Sequence, residues 1–306
     1  MIPSTRERQI ALALLFIVPV FFTTNQLVAR IVHETIPPVG LAFWRWTFAF
    51  AILLPFTARP LWQHRREIRR EWRDLLALGI LGMCICGSFV YIGAQTTTAI
   101  NIGLIYGASP VAIVALAAII YGEQLNRGKI IGFAIALLGV LVIILQGDLA
   151  TLTELRFVRG DIWIAVSATA WAVYVIILRH RPSVLPDQVR FAALILFGIT
   201  IMLPFHIAET LSGATLTLDL ATLSAIAIVA IVPGLAAYQG YAHVQRVLGA
   251  GSASLLMYLG PIYSAILAWL LLGEIIEIYH YVGTALVLPG IFLATRRAAT
   301  ESAVPR

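Results

Sequence analysis

The stretch PVAIVALAAIIYGE (110–123) is apolar for a dozen residues from Pro110 and stops on Gly122-Glu123, and PIYSAILAWLLLGE (261–274) repeats the pattern 151 residues later. The same displacement carries Gly132 onto Gly283 and Gly139 onto Gly290. Just upstream, Ser88, Tyr91 and Gln95 match Tyr238, Tyr241 and Gln245 at a displacement of 150, which implies a connecting segment one residue longer in the second copy. The chain therefore reads as two related halves, 1–150 and 151–306.

With 60% hydrophobic and 12% charged residues and a mean hydropathy of +0.92, the chain is too apolar for a water-soluble globular domain. Segments free of Asp, Glu, Lys and Arg recur at 9–29, 75–122, 130–147, 162–178, 191–208, 220–245, 247–273 and 278–295. A membrane-spanning helix needs about 20 apolar residues. The segment 75–122 is too long for one span, and Gln95-Thr96-Thr97-Thr98 with Asn101 supplies the break. A further span fits 38–58, interrupted only by Arg45. The expected fold is an all-α integral membrane protein of ten transmembrane helices. Five spans per half is an odd number, so the second half enters the membrane upside down, as two inverted five-helix repeats.

Arg6 and Arg8 before an apolar stretch resemble the start of a secretory signal, but the stretch is too long and contains Pro19 and Asn25, so it reads as the first span. Cys84 and Cys86 lie two residues apart inside the third span, on different sides of a helix, with no loop partner for a disulfide.

Threading ten spans places most of the basic residues on one side, including Arg59, Arg65, Arg66, Arg69, Arg70, Arg73, Arg127, Lys129, Arg179, Arg181, Arg190 and Arg246. By the positive-inside rule that side is cytoplasmic, and both termini lie there. The net charge of +6 then reports orientation and contact with anionic membrane lipid rather than a nucleic-acid partner, even in RPLWQHRREIRREWRD (59–74).

Polar residues inside the spans need a partner or a water-filled cavity. Ser88, Tyr91 and Gln95 fall at i, i+3 and i+7 on one face of the third span, and Tyr238, Tyr241 and Gln245 repeat that spacing in the eighth. Trp163, Ser167, Trp171 and Tyr174 share a face of the sixth span, where Trp163, near its outer end, also suits an interfacial anchor. Asn25 and Gln239 are further candidates, with helix-to-helix hydrogen bonding as the plainer role. Arg45 is the sole basic residue within a span; it either snorkels to the headgroups or faces a polar interior, where its guanidinium suits a substrate carboxylate. Glu123 and Glu274, at helix C-termini where the dipole opposes them, call for a nearby partner. Pro110 and Pro261 sit where they can kink the fourth and ninth helices and act as gating points. Gly132 with Gly139, and Gly283 with Gly290, each share a helix side that allows close approach.

The segment GEQLNRGKI (122–130) lacks the glycine spacing and the Ser or Thr of a phosphate loop. There is no HExxH zinc motif, no intramembrane aspartate pair and no convincing Ser-Lys or Ser-His dyad, so no enzyme, metal site or cofactor is expected. A membrane-embedded enzyme and a channel, the latter distinguished by unsaturable flux, are the alternatives from other classes. Inverted repeats are the architecture of secondary transporters, in which a central site opens alternately to each side.

The five-plus-five repeat, the Pro-(apolar)-Gly-Glu ends of the fourth and ninth helices, the glycines of the fifth and tenth, and Trp171 together resemble the EamA family of the drug/metabolite transporter superfamily over nearly the whole chain. The resemblance implies a bacterial inner-membrane exporter of amino acids and related small molecules, aromatic ones among them. An exporter of another metabolite or drug-like compound is the alternative within transport. It also implies a central cavity between helices 1 to 4 and 6 to 9, with helices 5 and 10 at the periphery. Small multidrug pumps of the superfamily carry a glutamate within the first helix, where this chain has Phe22-Thr23-Thr24-Asn25; that departure argues against a proton-coupled organic-cation pump. The expected protein is a monomer that handles a small-molecule substrate as a facilitator or exchanger.

Overall fold

A computed structural model describes residues 4–32, 35–123, 126–151, 156–217, 219–272 and 275–295, and among them there are helices and turns but no strand. Among the described residues ten helices are long and apolar enough to cross a membrane. They are α1 (Thr5–Val32), α2 (Pro38–Gln63), α3 (Trp72–Ala94), α4 (Ala99–Gly107 continued by Ser109–Tyr121), α5 (Arg127–Ile144), α6 (Arg159–His180), α7 (Asp187–Leu211), α8 (Leu220–Leu248), α9 (Ala250–Ser254, Leu255–Leu259 and Gly260–Leu272) and α10 (Ile278–Thr295). The end of the bundle that holds the start of α1 is called here the near end, and the opposite one the far end.

Local chemistry sets the boundaries. The Thr98 hydroxyl oxygen accepts from the Asn101 N–H at 3.2 Å and caps α4, so the break expected at 95–101 falls between Ala94 and Ala99. Asn126 caps α5 through Lys129 N–H at 2.8 Å, and Asp219 caps α8 through Thr222 N–H at 2.7 Å. That backbone hydrogen bond holds the Asp219 carboxyl below its ordinary range. Gly122, at φ +65°, takes the left-handed conformation that stops α4 and turns the Glu123 N–H back onto the Ala117 carbonyl at 3.2 Å.

Glu123 finds the partner its position demands. Its Oε1 lies 3.1 Å from His180 Nε2 at the end of α6, and the His180 ring stacks on Tyr121 with centroids 3.8 Å apart. Gly273 and Glu274 lie outside the described residues. Pro110 and Pro261 stand at interruptions within α4 and α9. Each sits in the first turn of a new segment, Ser109–Tyr121 after a break at Ala108 and Gly260–Leu272 after a 3₁₀ turn, where a missing N–H costs least.

Two spans widen into π-helix. In α3 the segment is Gly79–Ile85 and in α8 it is Ala230–Ala236, again 151 residues apart, as are the starts of the segments at Ala99 and Ala250. From the π-helical turn of α3 to the start of α5 the structural register is thus 151, and the displacement of 150 that paired Ser88, Tyr91 and Gln95 with Tyr238, Tyr241 and Gln245 is a one-residue slip. One residue is about 100° around a helix, so these two polar triplets occupy different faces of their helices.

Helix α5 packs along α10, α2 along α7, α6 against α3 and α4, and α1 against α8. The α5–α10 contact is glycine on glycine. A Cβ built on Gly132 would stand 2.6 Å from the Gly290 carbonyl oxygen, and one on Gly139 2.6 Å from that of Gly283; the converse distances are 2.7 and 2.6 Å. Residue numbers rise along one helix as they fall along the other, so the two run antiparallel. Their outer sides, with Ile130, Ile131, Leu138, Tyr281 and Phe292, are exposed, in keeping with a peripheral position.

Because backbone atoms face each added methyl, Gly139→Ala should force the helices apart. We expect a loss of about 1–3 kcal/mol, read as a lower melting temperature in detergent; an unchanged melting temperature would rule out so close a crossing.

Candidate functional site

The inward stripe of α2 is Leu41, Ala42, Arg45, Trp46 and Ala49, all buried, while Trp44 and Phe48 are exposed. Arg45 therefore cannot snorkel: it points from the middle of the stripe into the bundle and is only 3% exposed. Its Nη1 donates to Asn25 Oδ1 of α1 and to the Tyr91 hydroxyl of α3, both at 3.2 Å, and its Nη2 donates to the Pro233 carbonyl of α8 at 3.1 Å. The Tyr91 hydroxyl in turn donates to Asn25 Oδ1 at 2.5 Å. The guanidinium carbon also sits 4.7 Å from the Trp46 ring centroid. No carboxylate among the described residues pairs with it, and its Nε has no hydrogen-bond partner.

Beside Arg45 lies an aromatic cluster. Trp171 meets Phe22 at 5.7 Å, Tyr174 at 5.5 Å, Tyr238 at 5.6 Å and Tyr241 at 5.0 Å, and Tyr238 continues to Trp46 at 5.0 Å. The Tyr238 hydroxyl donates to the Gly82 carbonyl at 2.8 Å. Trp46 Nε1, Trp171 Nε1 and the Tyr241 hydroxyl are buried without partners. Such groups cost free energy, and three of the unsatisfied positions, the Arg45 Nε and the two indoles, can only donate. The arrangement is chemically suited to an acceptor-rich, partly apolar ligand.

The remaining candidates divide between packing and periphery. Ser167 shares a 2.9 Å hydrogen bond with Tyr106, Ser88 donates to Met202 Sδ at 3.6 Å, and Gln245 Nε2 donates to the Val175 carbonyl at 2.6 Å. These three tie helices together within the core. Gln95 is exposed at the far end, on a narrow cleft lined also by Val32, Ile36, Pro38, Leu41, Ala94 and Tyr91. Trp163 is half-exposed with its edge on Phe89 at 4.6 Å, the interfacial position. Gln239 is exposed and stands apart from the cluster.

Three members of the site escape a reading of the sequence. Trp46 is adjacent to Arg45 and one turn from Ala42, Phe22 lies one turn before Asn25 on the same face of α1, and Pro233 interrupts an uncharged span. The proline was the available signal, since a helix that runs through one loses the N–H of that residue and departs locally from the regular ladder. Asp161, also missed, is buried at the start of α6 and accepts from Val158 N–H at 2.7 Å, from Asn101 Nδ2 at 3.0 Å and from the Thr97 hydroxyl. It fastens the α3–α4 connection to α6.

Comparison with known proteins places this arrangement. A solved structure superposes with a TM-score of 0.72 over 92% of this chain and 95% of the other at 20% identity, which establishes a shared fold. The chain is 23% identical to the uncharacterized transporter YyaM of Bacillus subtilis, over 84% of each protein. It is 25% identical, again over 84% of each, to a Streptantibioticus cattleyicolor protein named a probable terminal-alkyne amino-acid exporter. The model of the EamA-like transporter family matches twice, over residues 9–145 and 158–296, so that both halves of this multi-pass membrane protein are covered and the chain belongs to that family.

Proposed function

We propose that the protein is a secondary transporter that exports small carboxylate-bearing metabolites, amino acids with large apolar or aromatic side chains foremost, by alternating access. The observation that carries this reading is Arg45: a buried guanidinium held by neutral groups, paired with no carboxylate among the described residues, beside an aromatic cluster with unspent donors. A substrate carboxylate supplies the missing charge in the bidentate geometry that guanidinium favours, and the side chain rests on Trp171, Tyr238 and Tyr241. The relative named as an amino-acid exporter supports the substrate class.

In this reading the halves 1–150 and 151–306 are inverted repeats, supported by the antiparallel glycine contact of α5 with α10 and by the common displacement of 151. The arginine-rich near end is cytoplasmic, the membrane is the bacterial inner membrane, and the unit is a monomer in contact with anionic lipid. Charged residues among the described ones cluster toward the span ends, Arg45 apart. With no carboxylate deep in a described span to carry a proton, the expected mode is facilitation or exchange.

Counterflow in proteoliposomes preloaded with one unlabelled amino acid at a time tests the function. Accelerated, saturable entry of the same labelled compound is expected for at least one large apolar or aromatic amino acid; no acceleration across the series sinks the assignment. Arg45→Lys and Arg45→Gln should weaken binding by about 10- to 100-fold, the worth of hydrogen bonds to a charged group, whereas undiminished binding would dismiss Arg45 as the anchor. Single cysteines placed in 59–74 and in 212–217 should label from opposite sides of the membrane, and equal access from outside would overturn the orientation.

A further inference from the structure

The two π-helical turns leave one carbonyl each without a place in the helical ladder. In α3 the Cys86 N–H reaches back five residues to the Leu81 carbonyl, and in α8 the Ala237 N–H reaches back five to Val232. The helix beyond returns to the four-residue step, so the carbonyl passed over is Gly82 in α3 and Pro233 in α8. These two positions are again 151 residues apart. A buried, unpaired carbonyl is costly, and both are satisfied from the opposite half of the chain: Gly82 by the Tyr238 hydroxyl at 2.8 Å and Pro233 by Arg45 Nη2 at 3.1 Å.

The causes of the two turns differ while the outcome is the same. Pro233 has no N–H to offer in an α-helical step. In α3 the glycines permit close packing instead: a Cβ on Gly79 would meet backbone atoms of Leu194 and Gly198 at 2.9 Å, and one on Gly82 would meet the Tyr174 ring at 2.6 Å. Neither turn is an accident of one half.

We propose that the crossed pair, Arg45 on Pro233 and Tyr238 on Gly82, is an internal lock that holds the two halves in this conformation, with Tyr238 acting as a positioning residue for α3. Release of a carbonyl from its donor lets the π-turn move along its helix or revert to α, and each residue of movement rotates one part of the helix against the other by about 100°. Arg45 joins the lock to the substrate. A carboxylate that takes its Nη donors competes with the Pro233 carbonyl, so that occupancy of the site loosens α8; this last link rests on the reading of Arg45 as the substrate anchor, whereas the lock itself does not.

Hydrogen exchange followed by mass spectrometry on the full chain in detergent reads the lock without any ligand. Tyr238→Phe, which keeps the ring and removes the hydroxyl, should speed exchange in 79–87 of the opposite half by about fivefold, the worth of one net hydrogen bond, and leave α5 and α10 protected. Arg45→Lys should do the same in 230–238. A residue with a merely local packing role would move exchange around itself and not in the other half. Unchanged exchange at 79–87 in the first variant and at 230–238 in the second overturns the lock, and if one variant is not recovered folded the other decides from its own half. Counterflow of labelled phenylalanine in the same variants separates the two ideas: undiminished phenylalanine binding by Arg45→Lys removes the anchor, while the exchange data alone decide the lock.

Discussion

A guanidinium group inside an apolar bundle is expensive unless its charge is spread over close partners, and the centre of this protein is arranged around that requirement. Arg45 stands about two turns inside α2, on the stripe that faces the core. Four helices supply its surroundings: Asn25 from α1, Trp46 from α2 itself, Tyr91 from α3 and the Pro233 carbonyl from α8. The contacts are neutral acceptors and a π-face, enough to hold the group in place and too few to neutralise it. On the proposed function, that balance is what an anionic substrate would answer. A carboxylate partner from the protein would have made a closed structural pair of it.

Away from the centre, different physics holds the bundle together. The α5–α10 crossing uses no polar side chain; its closeness comes from glycine and the dispersion contacts that bare backbone allows. Helix α6 is instead tied to α4 at three levels by polar pairs, Asn101 with Asp161 at the far end, Tyr106 with Ser167 inside, and Glu123 with His180 at the near end. Between α2 and α7, the Glu209 carboxylate accepts from Val39 and Gly40 N–H groups at 3.0 and 2.6 Å, standing in for the side-chain cap that the Pro37-Pro38 start of α2 lacks. These seams thus flank a core in which two hydrogen bonds, Arg45 to the Pro233 carbonyl and Tyr238 to the Gly82 carbonyl, cross between the two halves of the chain.

Length and hydrophobicity made the ten spans, the break after Ala94 and the ends at Gly122-Glu123 legible, because each follows from how much apolar chain a bilayer accepts and from what glycine and threonine do at helix ends. Direction was harder to read. Where a helix is apolar all round, polarity no longer marks its inward side, so Tyr238 and Gln239 both stood as candidates although one is buried and the other faces out. Arg45 was ambiguous for the same reason: whether it snorkels depends on the neighbours of α2. The slip between 150 and 151 has a backbone cause. Tyr and Gln recur at similar spacing by chemistry, whereas the repeat is kept by the π-turns, which side-chain types do not announce beyond Pro233.

The glycine contact between α5 and α10 is reciprocal: Gly132 meets Gly290, the counterpart of Gly139, and Gly139 meets Gly283, the counterpart of Gly132. Such a surface is complementary to itself under a two-fold rotation. A helix carrying only the first pair of glycines would therefore present a face complementary to the same face of an antiparallel copy of itself. A side chain added at any of the four glycines strikes the backbone of the other helix, so both helices are held to glycine at corresponding positions for the same steric reason.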